Sequence, residues 1–150
     1  MYRIERLDET WLDEILALEQ VCFSENDRWK KSDWIELLAD ERAVYFALLD
    51  GQQPIGNIFL YDWINEEDYV KIMTLGVHPD YRRQGLAKRL LLHAKERLQK
   101  RGINRFCGET RASNTTMQKT FAACGYRLNR IEEGYYHDPE EAAYKYVLEV

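Results

Sequence analysis

Apolar and polar positions alternate along the chain with two different periods, and the switches between them mark its elements. "YRIERL" (2–7) alternates as a strand does. Trp11, Leu12, Ile15, Leu16, Glu19 and Cys22 then fall at spacings of three and four, which predicts a helix capped by Asp8 and running to about Phe23. A second helix, "SDWIELLAD", starts at Ser32 with an acid-rich first turn that suits the helix dipole. "AVYFALLDGQQPIGNIFLY" reads as a hairpin, two β-rich runs around a turn containing Asp50-Gly51 and Pro54. "YVKIMTLGV" (69–77) is a further strand, and Gly76 near its end marks a bulge or a close ligand approach. Leu86, Leu90, Leu91, Ala94 and Leu98 line one face of a helix over 85–101, which Gly102 stops. "INRFCGET" (103–110) is a strand, and "SNTTMQKTFAAC" (113–124) a helix capped by Ser113 or Asn114 and ended by Gly125. "YRLNRIEEGYY" and "AAYKYVLEV" form a last strand pair.

The order β-α-α-β-β-β-α-β-α-β-β predicts an α/β (α+β) fold, a mixed sheet of about seven strands with four helices packed on its faces. At 150 residues, with no repeat or linker, the chain is expected to form a single domain over 1–150. No apolar run approaches the ~20 residues that span a bilayer. "MYRIERLDETW" also lacks the apolar core of a signal peptide, so a cytoplasmic protein without membrane contact is expected. Cys22, Cys107 and Cys124 are too few and too scattered for a disulfide framework or a zinc site, and no metal is expected. His93 is placed on a solvated helix face and His78 in a turn, and nothing resembles a Ser–His–Asp triad.

Charge changes this picture in one place. Residues 82–105 carry nine Lys/Arg against the single acid Glu96, whereas the rest of the chain has 12 basic and 25 acidic residues. A basic segment inside an acidic protein points either to a local anionic ligand or to a solvated helix face, and it argues against direct nucleic-acid binding. The segment opens with "VHPDYRRQGLAKRLL" (77–91), where a strand passes through a basic, small-residue turn into a helix. Such a unit presents free backbone N–H groups and a helix dipole to a phosphate. Gly85 and Ala87 leave room for close approach, and Arg82, Arg83 and Lys88 supply charge-assisted hydrogen bonds. The spacing matches neither the Walker A nor the dinucleotide glycine motif.

"RRQGLA" fits the R/Q-x-x-G-x-G/A motif of the GCN5-related N-acetyltransferase (GNAT) superfamily, and the flanking "IMTLGVHPDY" and amphipathic helix agree with it. "RGINRFCGETRASN", "FAACGY" and "EGYYHDPEEAAYKYVLEV" resemble the second half of the ribosomal-protein-alanine N-acetyltransferases (RimI-like) and of protein N-terminal acetyltransferases. The likeness is strong over 70–150 and rests on element order alone over 1–69.

The resemblance implies a single GNAT-like domain in which two neighbouring parallel strands, here 69–77 and 103–110, splay around acetyl-coenzyme A. Leu75, Gly76 and Val77 are then expected to pair with the pantetheine, with the Val77 N–H donating to the thioester carbonyl. Arg82, Arg83, Gln84, Gly85, Leu86, Ala87 and Lys88 are expected to hold the diphosphate. Asn114 matches a cofactor-contacting asparagine, and it also suits a helix cap. Glu109, in "ETRASN", corresponds to the family's general base, and it is the resemblance that gives it this role; on the residues alone it reads first as a surface or salt-bridged acid paired with Arg111. Twelve residues on, the family commonly has a tyrosine that protonates the departing sulfur. Phe121 stands here, able to pack on the pantetheine but not to donate a proton. Tyr135 and Tyr136 align with tyrosines that line the acceptor's entry, or else are buried strand aromatics. Asp27 and Trp29 lie in the loop that forms the other wall. The implied activity is acetyl transfer to a primary amine, foremost a protein N-terminal α-amine, by a monomer or homodimer. Acetylation of lysine or a small amine, and a coenzyme-A-binding domain weakened in catalysis, are the alternatives.

Overall fold

The computed structural model describes residues 2–62 and 69–150. Seven strands form one sheet in the order β1-β2-β3-β4-β5-β7-β6, with β1 Arg3–Arg6, β2 Ala43–Asp50, β3 Gln53–Asp62, β4 Val70–Val77, β5 Arg105–Arg111, β6 Arg127–Tyr136 and β7 Glu141–Glu149. Among the described residues four helices, α1 Leu12–Cys22, α2 Lys31–Leu38, α3 Leu86–Gln99 and α4 Thr115–Ala123, complete the predicted element order. Among the described residues no helix is long and apolar enough to cross a membrane.

The period-two pattern of the central strands divides the core. Val44, Phe46 and Leu48 on β2, with Ile58 and Leu60 on β3, pack on the face covered by α3. Tyr45, Ala47 and Leu49, with Phe59 and Tyr61, pack on the face covered by α1 and α2, where Ile15 and Trp34 are fully buried. Strands buried on both faces are apolar throughout, and β2 and β3 read that way. Asn57 is the exception, a fully buried amide on the face of Phe59.

Several boundaries differ from the sequence-based expectations. Asp8 caps a short 3-10 turn, Glu9–Trp11, ahead of α1 instead of capping the helix itself. Helix α2 is capped at Lys30, not Ser32, because the Asp33 carboxylate accepts the Lys30 N–H at 3.1 Å. Pro54 lies inside β3, and the turn is Gly51-Gln52. Arg83 and Gly85 have φ of +66° and +70°, left-handed values that delay α3 to Leu86. His93 is half-buried, packing edge-on against Phe46 with ring centroids 5.0 Å apart.

The feature that positions the site is the join between β4 and β5. These strands run parallel but pair only at Val70–Phe106 and Lys71–Cys107. Beyond that, β4 stays with β3 and β5 stays with β7 along its whole length, so the sheet opens into a wedge. A register shift in the β3–β4 ladder between Phe59 and Leu60 leaves Met73 unpaired and bends β4 where the parting begins.

Phe121 seals the base of the wedge. Its ring is 1% exposed, stacks on Tyr146 at 5.0 Å and 18°, and leaves only 2.7 Å between its edge and the place a Cβ on Gly108 would take. Gly108→Ala should therefore destabilise the protein by about 1–3 kcal/mol, read as a lower urea midpoint with an unchanged m-value.

Candidate active site

The wedge continues into a cleft of about 390 Å³, lined from β4 by Lys71 to Leu75, from β5 by Glu109 to Arg111, from α1 by Glu19 and Phe23, and by Asp27, Trp29, Asn114, Met117, Phe121, Tyr135 and Tyr136. One wall of the wedge is the free edge of β4. The His78 N–H donates to the Ile55 carbonyl at 2.7 Å, which turns residue 78 toward β3. Alternation in an antiparallel ladder then turns the Leu75 and Val77 N–H and C=O groups toward the opening. The Arg82 Nε, reaching the Val77 carbonyl at 3.0 Å, lies on that side.

Gly76 differs from its expected role. Its N–H donates to the Asn57 side-chain oxygen at 3.0 Å, on the β3 side, so it is withdrawn from the open edge. Packing at the glycine is close: an added Cβ would meet the Phe23 ring at 3.0 Å and the Cys22 Cβ at 3.2 Å, where the end of α1 rests on β4.

The turn after β4 carries the basic motif. Gly85 is the N-cap of α3 in a left-handed conformation, and Arg89 N–H is the first to close onto its carbonyl. The N–H groups of Leu86, Ala87 and Lys88 accordingly have no partner within the helix and lie at its positive end. Arg82, Arg83, Gln84 and Lys88 are exposed around them. Leu86 turns its side chain into the core and offers only its backbone. Asn114 caps α4, its side-chain oxygen accepting the Met117 N–H at 3.1 Å, while also lining the cleft.

On β5, Phe106, Gly108 and Thr110 face the α3 side, and Cys107, Glu109 and Arg111 face the side of α1 and α2. Glu109 is not paired with Arg111. Its carboxylate, 16% exposed, accepts the Tyr135 hydroxyl at 2.5 Å and lies 3.5 Å from Lys71 Nζ and 3.6 Å from Lys145 Nζ. Lys145 also sits 4.4 Å over the Tyr135 ring and 3.1 Å from Glu132. Burial, and then the bond to Glu109, hold the Tyr135 phenol protonated by pushing its pKa up.

Arg111 is engaged by Asp27 at 2.9 Å, Glu141 at 3.1 Å, and the His137 and Pro139 carbonyls at 3.0 and 2.8 Å. The Asp27 carboxylate is thus already neutralised instead of standing open to an ammonium. The Arg111 guanidinium lies 4.6 Å from the Tyr136 ring centroid, and Tyr136 meets Tyr135 edge-on at 5.0 Å. Trp29 packs on Trp34 and Phe59 and presents only part of its ring to the cleft. Phe121, expected along the pantetheine, lies in the core among Tyr126 and Tyr146 and borders only the inner end of the cleft.

Among the cleft residues that the sequence reading did not single out, Glu19 stands apart. Glu19 reads as part of the amphipathic face of α1, and it is 4% exposed. Its Oε1 accepts from Asn57 Nδ2 at 3.0 Å, and the same amide nitrogen donates to the Tyr45 hydroxyl at 3.0 Å. An acid in the inward stripe of a helix was the available signal.

The fold and the cleft together identify the class of protein. Residues 7–126 match the Acetyltransferase (GNAT) family, to which the chain belongs. It is 36% identical over 69 residues, 46% of the chain, to the [ribosomal protein bS18]-alanine N-acetyltransferase of Escherichia coli (strain K12), and the matched stretch spans about half of that relative, 47% of its length. The crystal structure of the Escherichia coli ribosomal-protein-S18-alanine N-acetyltransferase superposes with a TM-score of 0.89 at 27% identity, over 100% of this chain and 94% of that one. Arabidopsis thaliana NAA60 in complex with acetyl-CoA shares the fold, with a TM-score of 0.85 at 16% identity over 100% and 99% of the two chains.

Burial, offset in part by the Asn57 hydrogen bond and the Arg28 charge, pushes the Glu19 carboxyl up from 4.5 to about 7. The folded protein then holds this proton more tightly than the unfolded chain does, so the stability it contributes is lost as pH rises from 4.5 to about 7. Wild type should lose more thermal stability than Glu19→Gln across this window, measured as melting temperature against pH; identical slopes would mean that Glu19 is already ionised at its lower end.

Proposed function

We propose that the chain transfers the acetyl group of acetyl-CoA to a primary amine, the acceptor being a protein N-terminal α-amine, with Glu109 taking a proton from the attacking nitrogen. The observation that carries this reading is the Glu109 carboxylate, held by Tyr135, Lys71 and Lys145 in the wedge facing the free edge of β4. The names of the relatives, an alanine N-acetyltransferase and a neighbour complexed with acetyl-CoA, support the choice of donor and acceptor.

The residues present fit the donor. The unpartnered N–H groups at the start of α3, with Arg82, Arg83 and Lys88 around them, suit a diphosphate. The outward N–H and C=O of Leu75 and the N–H of Val77 suit the amides of a pantetheine arm, which would lie along β4 as an added strand does, while Arg82 already holds the Val77 carbonyl. There the Val77 N–H serves as the donor to a thioester carbonyl, where charge develops during attack. Lys71 and Lys145 orient the Glu109 carboxylate, and Tyr135 fixes one of its oxygens. Phe121 supplies no proton, so the thiolate leaves unaided, which a thiol of ordinary pKa near ~8.5 allows.

Acetyl-CoA should raise the melting temperature of the protein. In a thiol-release assay an alanine-initiated peptide should be acetylated faster than a lysine peptide blocked at its N-terminus or a polyamine, and Glu109→Gln should lose roughly 10²–10⁴-fold in kcat/KM. Binding of acetyl-CoA without transfer to any of these amines would overturn the reading in favour of a coenzyme-A-binding domain.

A further inference from the structure

An ammonium carries three N–H bonds and an amide of a primary amine carries one, so two protons leave the acceptor nitrogen during transfer. Three acids line the cleft: Glu19, Asp27 and Glu109. Two of them are compensated, Asp27 by Arg111 and Glu109 by Lys71 and Lys145. Among the described residues no Lys, Arg or His nitrogen lies within 4.0 Å of the Glu19 carboxylate. Among the described residues its one hydrogen-bond donor is the neutral side-chain amide of Asn57, which is itself fixed, since Gly76 N–H takes the amide oxygen and leaves the nitrogen for Glu19. A carboxylate buried without a counter-ion is costly, and a cationic ligand relieves that cost.

Geometry places Glu19 on the acceptor's side. It projects from α1 on the sheet face that also carries Glu109, and the two acids stand on opposite sides of the parting between β4 and β5. Resting on the acetyltransferase reading, we propose that Glu19 draws the acceptor into the cleft as an ammonium and takes its first proton, leaving the second to Glu109.

In the first step an N–H bond of the ammonium breaks, its electron pair stays on nitrogen, and an O–H bond forms on the Glu19 carboxylate. The free amine attacks the thioester carbonyl and forms the C–N bond, the C–S bond breaks with its pair on sulfur, and Glu109 takes the proton that the new amide nitrogen sheds and gives it up to solvent as the products leave. Glu19 returns its proton to solvent as the product leaves. The groups facing Glu19 are consistent with this exchange. Arg28 lowers its proton affinity from the α1–α2 loop, while Cys22 on α1 and Tyr45 on β2 are held neutral by burial, Cys22 pushed up to about 12. A carboxyl raised to about 7 lies close to the α-amine range of roughly 7.7–8.0, so the proton passes with little cost in either direction.

The test is the pH dependence of kcat/KM for an alanine-initiated peptide in wild type, Glu19→Gln and Glu109→Gln. A glutamine at 19 keeps the acceptor for Asn57 and removes only the proton acceptor. Glu19→Gln should be about ten-fold down or more at pH ~7, where only about a tenth of an α-amine is free, and should approach wild type by pH ~9, where most of it is. Glu109→Gln should stay impaired at both. A Glu19→Gln loss of equal size at both pH values would assign Glu19 a purely structural role and overturn the proposal, as would no loss at either. In parallel, carbon-13 carboxyl NMR of wild type filled with desulfo-coenzyme A should show the Glu19 titration displaced to lower pH by the alanine-initiated peptide and untouched by its N-acetylated form. No displacement overturns the assignment of Glu19. Failure of wild type to acetylate any amine overturns the acetyltransferase reading instead, and the NMR titration then still decides whether Glu19 receives an ammonium.

Discussion

Everything functional in this chain depends on two parallel strands that stop pairing. Between β4 and β5 the ladder holds for two residue pairs and then ends, while each strand keeps its partner on the other side. The unpaired inner edges are backbone donors and acceptors that need partners, and a ligand with amide groups of its own is suited to supply them. The parting is anchored by ordinary packing: the unpaired Met73 on β4, the end of α1 seated on Gly76, and Phe121 wedged beneath Gly108. The same contacts that stabilise the sheet therefore keep it from closing.

The cleft is equally defined by how its charges are matched. Arg111, Lys71 and Lys145 answer Asp27 and Glu109, so those carboxylates are held in fixed positions without relying on solvent. Among the described residues Glu19 is hydrogen-bonded by one amide, with the Arg28 charge farther off, and the amide is oriented by the backbone of β4. Proton affinity at Glu19 is thereby linked to the strand that borders the wedge: α1, β2, β3 and β4 all meet in one hydrogen-bonded cluster.

Much of the fold was legible in the sequence because its elements follow one period each. The two-faced burial of β2 and β3, the amphipathic face of α3 and the turn at Gly85 are all written in local spacing. The motif "RRQGLA" likewise marks its position without long-range information. Boundaries were misplaced where one neighbouring side chain, or a single backbone angle, decides them: Asp33 reaching back three residues to Lys30, and Arg83 in a left-handed conformation. In the site, Glu109 could be found by its motif, but its partners could not, since Lys71 and Lys145 come from strands on either side and no spacing predicts that pairing. Glu19 escaped notice because helical periodicity counts it as one more inward position, and only the assembled core shows that the position is polar and faces a cavity.

Arg111 bears on the mouth of the cleft. One guanidinium grips Asp27 in the loop after α1 and, on the other rim, Glu141 with the carbonyls of His137 and Pro139. The two lips of the entrance are thus riveted to a common post, and the aperture behaves as a frame of set width in place of a pair of independent flaps. Tyr135 and Tyr136, which line the frame, are held at a set distance from the opposite lip, because lengthening either lip would first have to release the rivet.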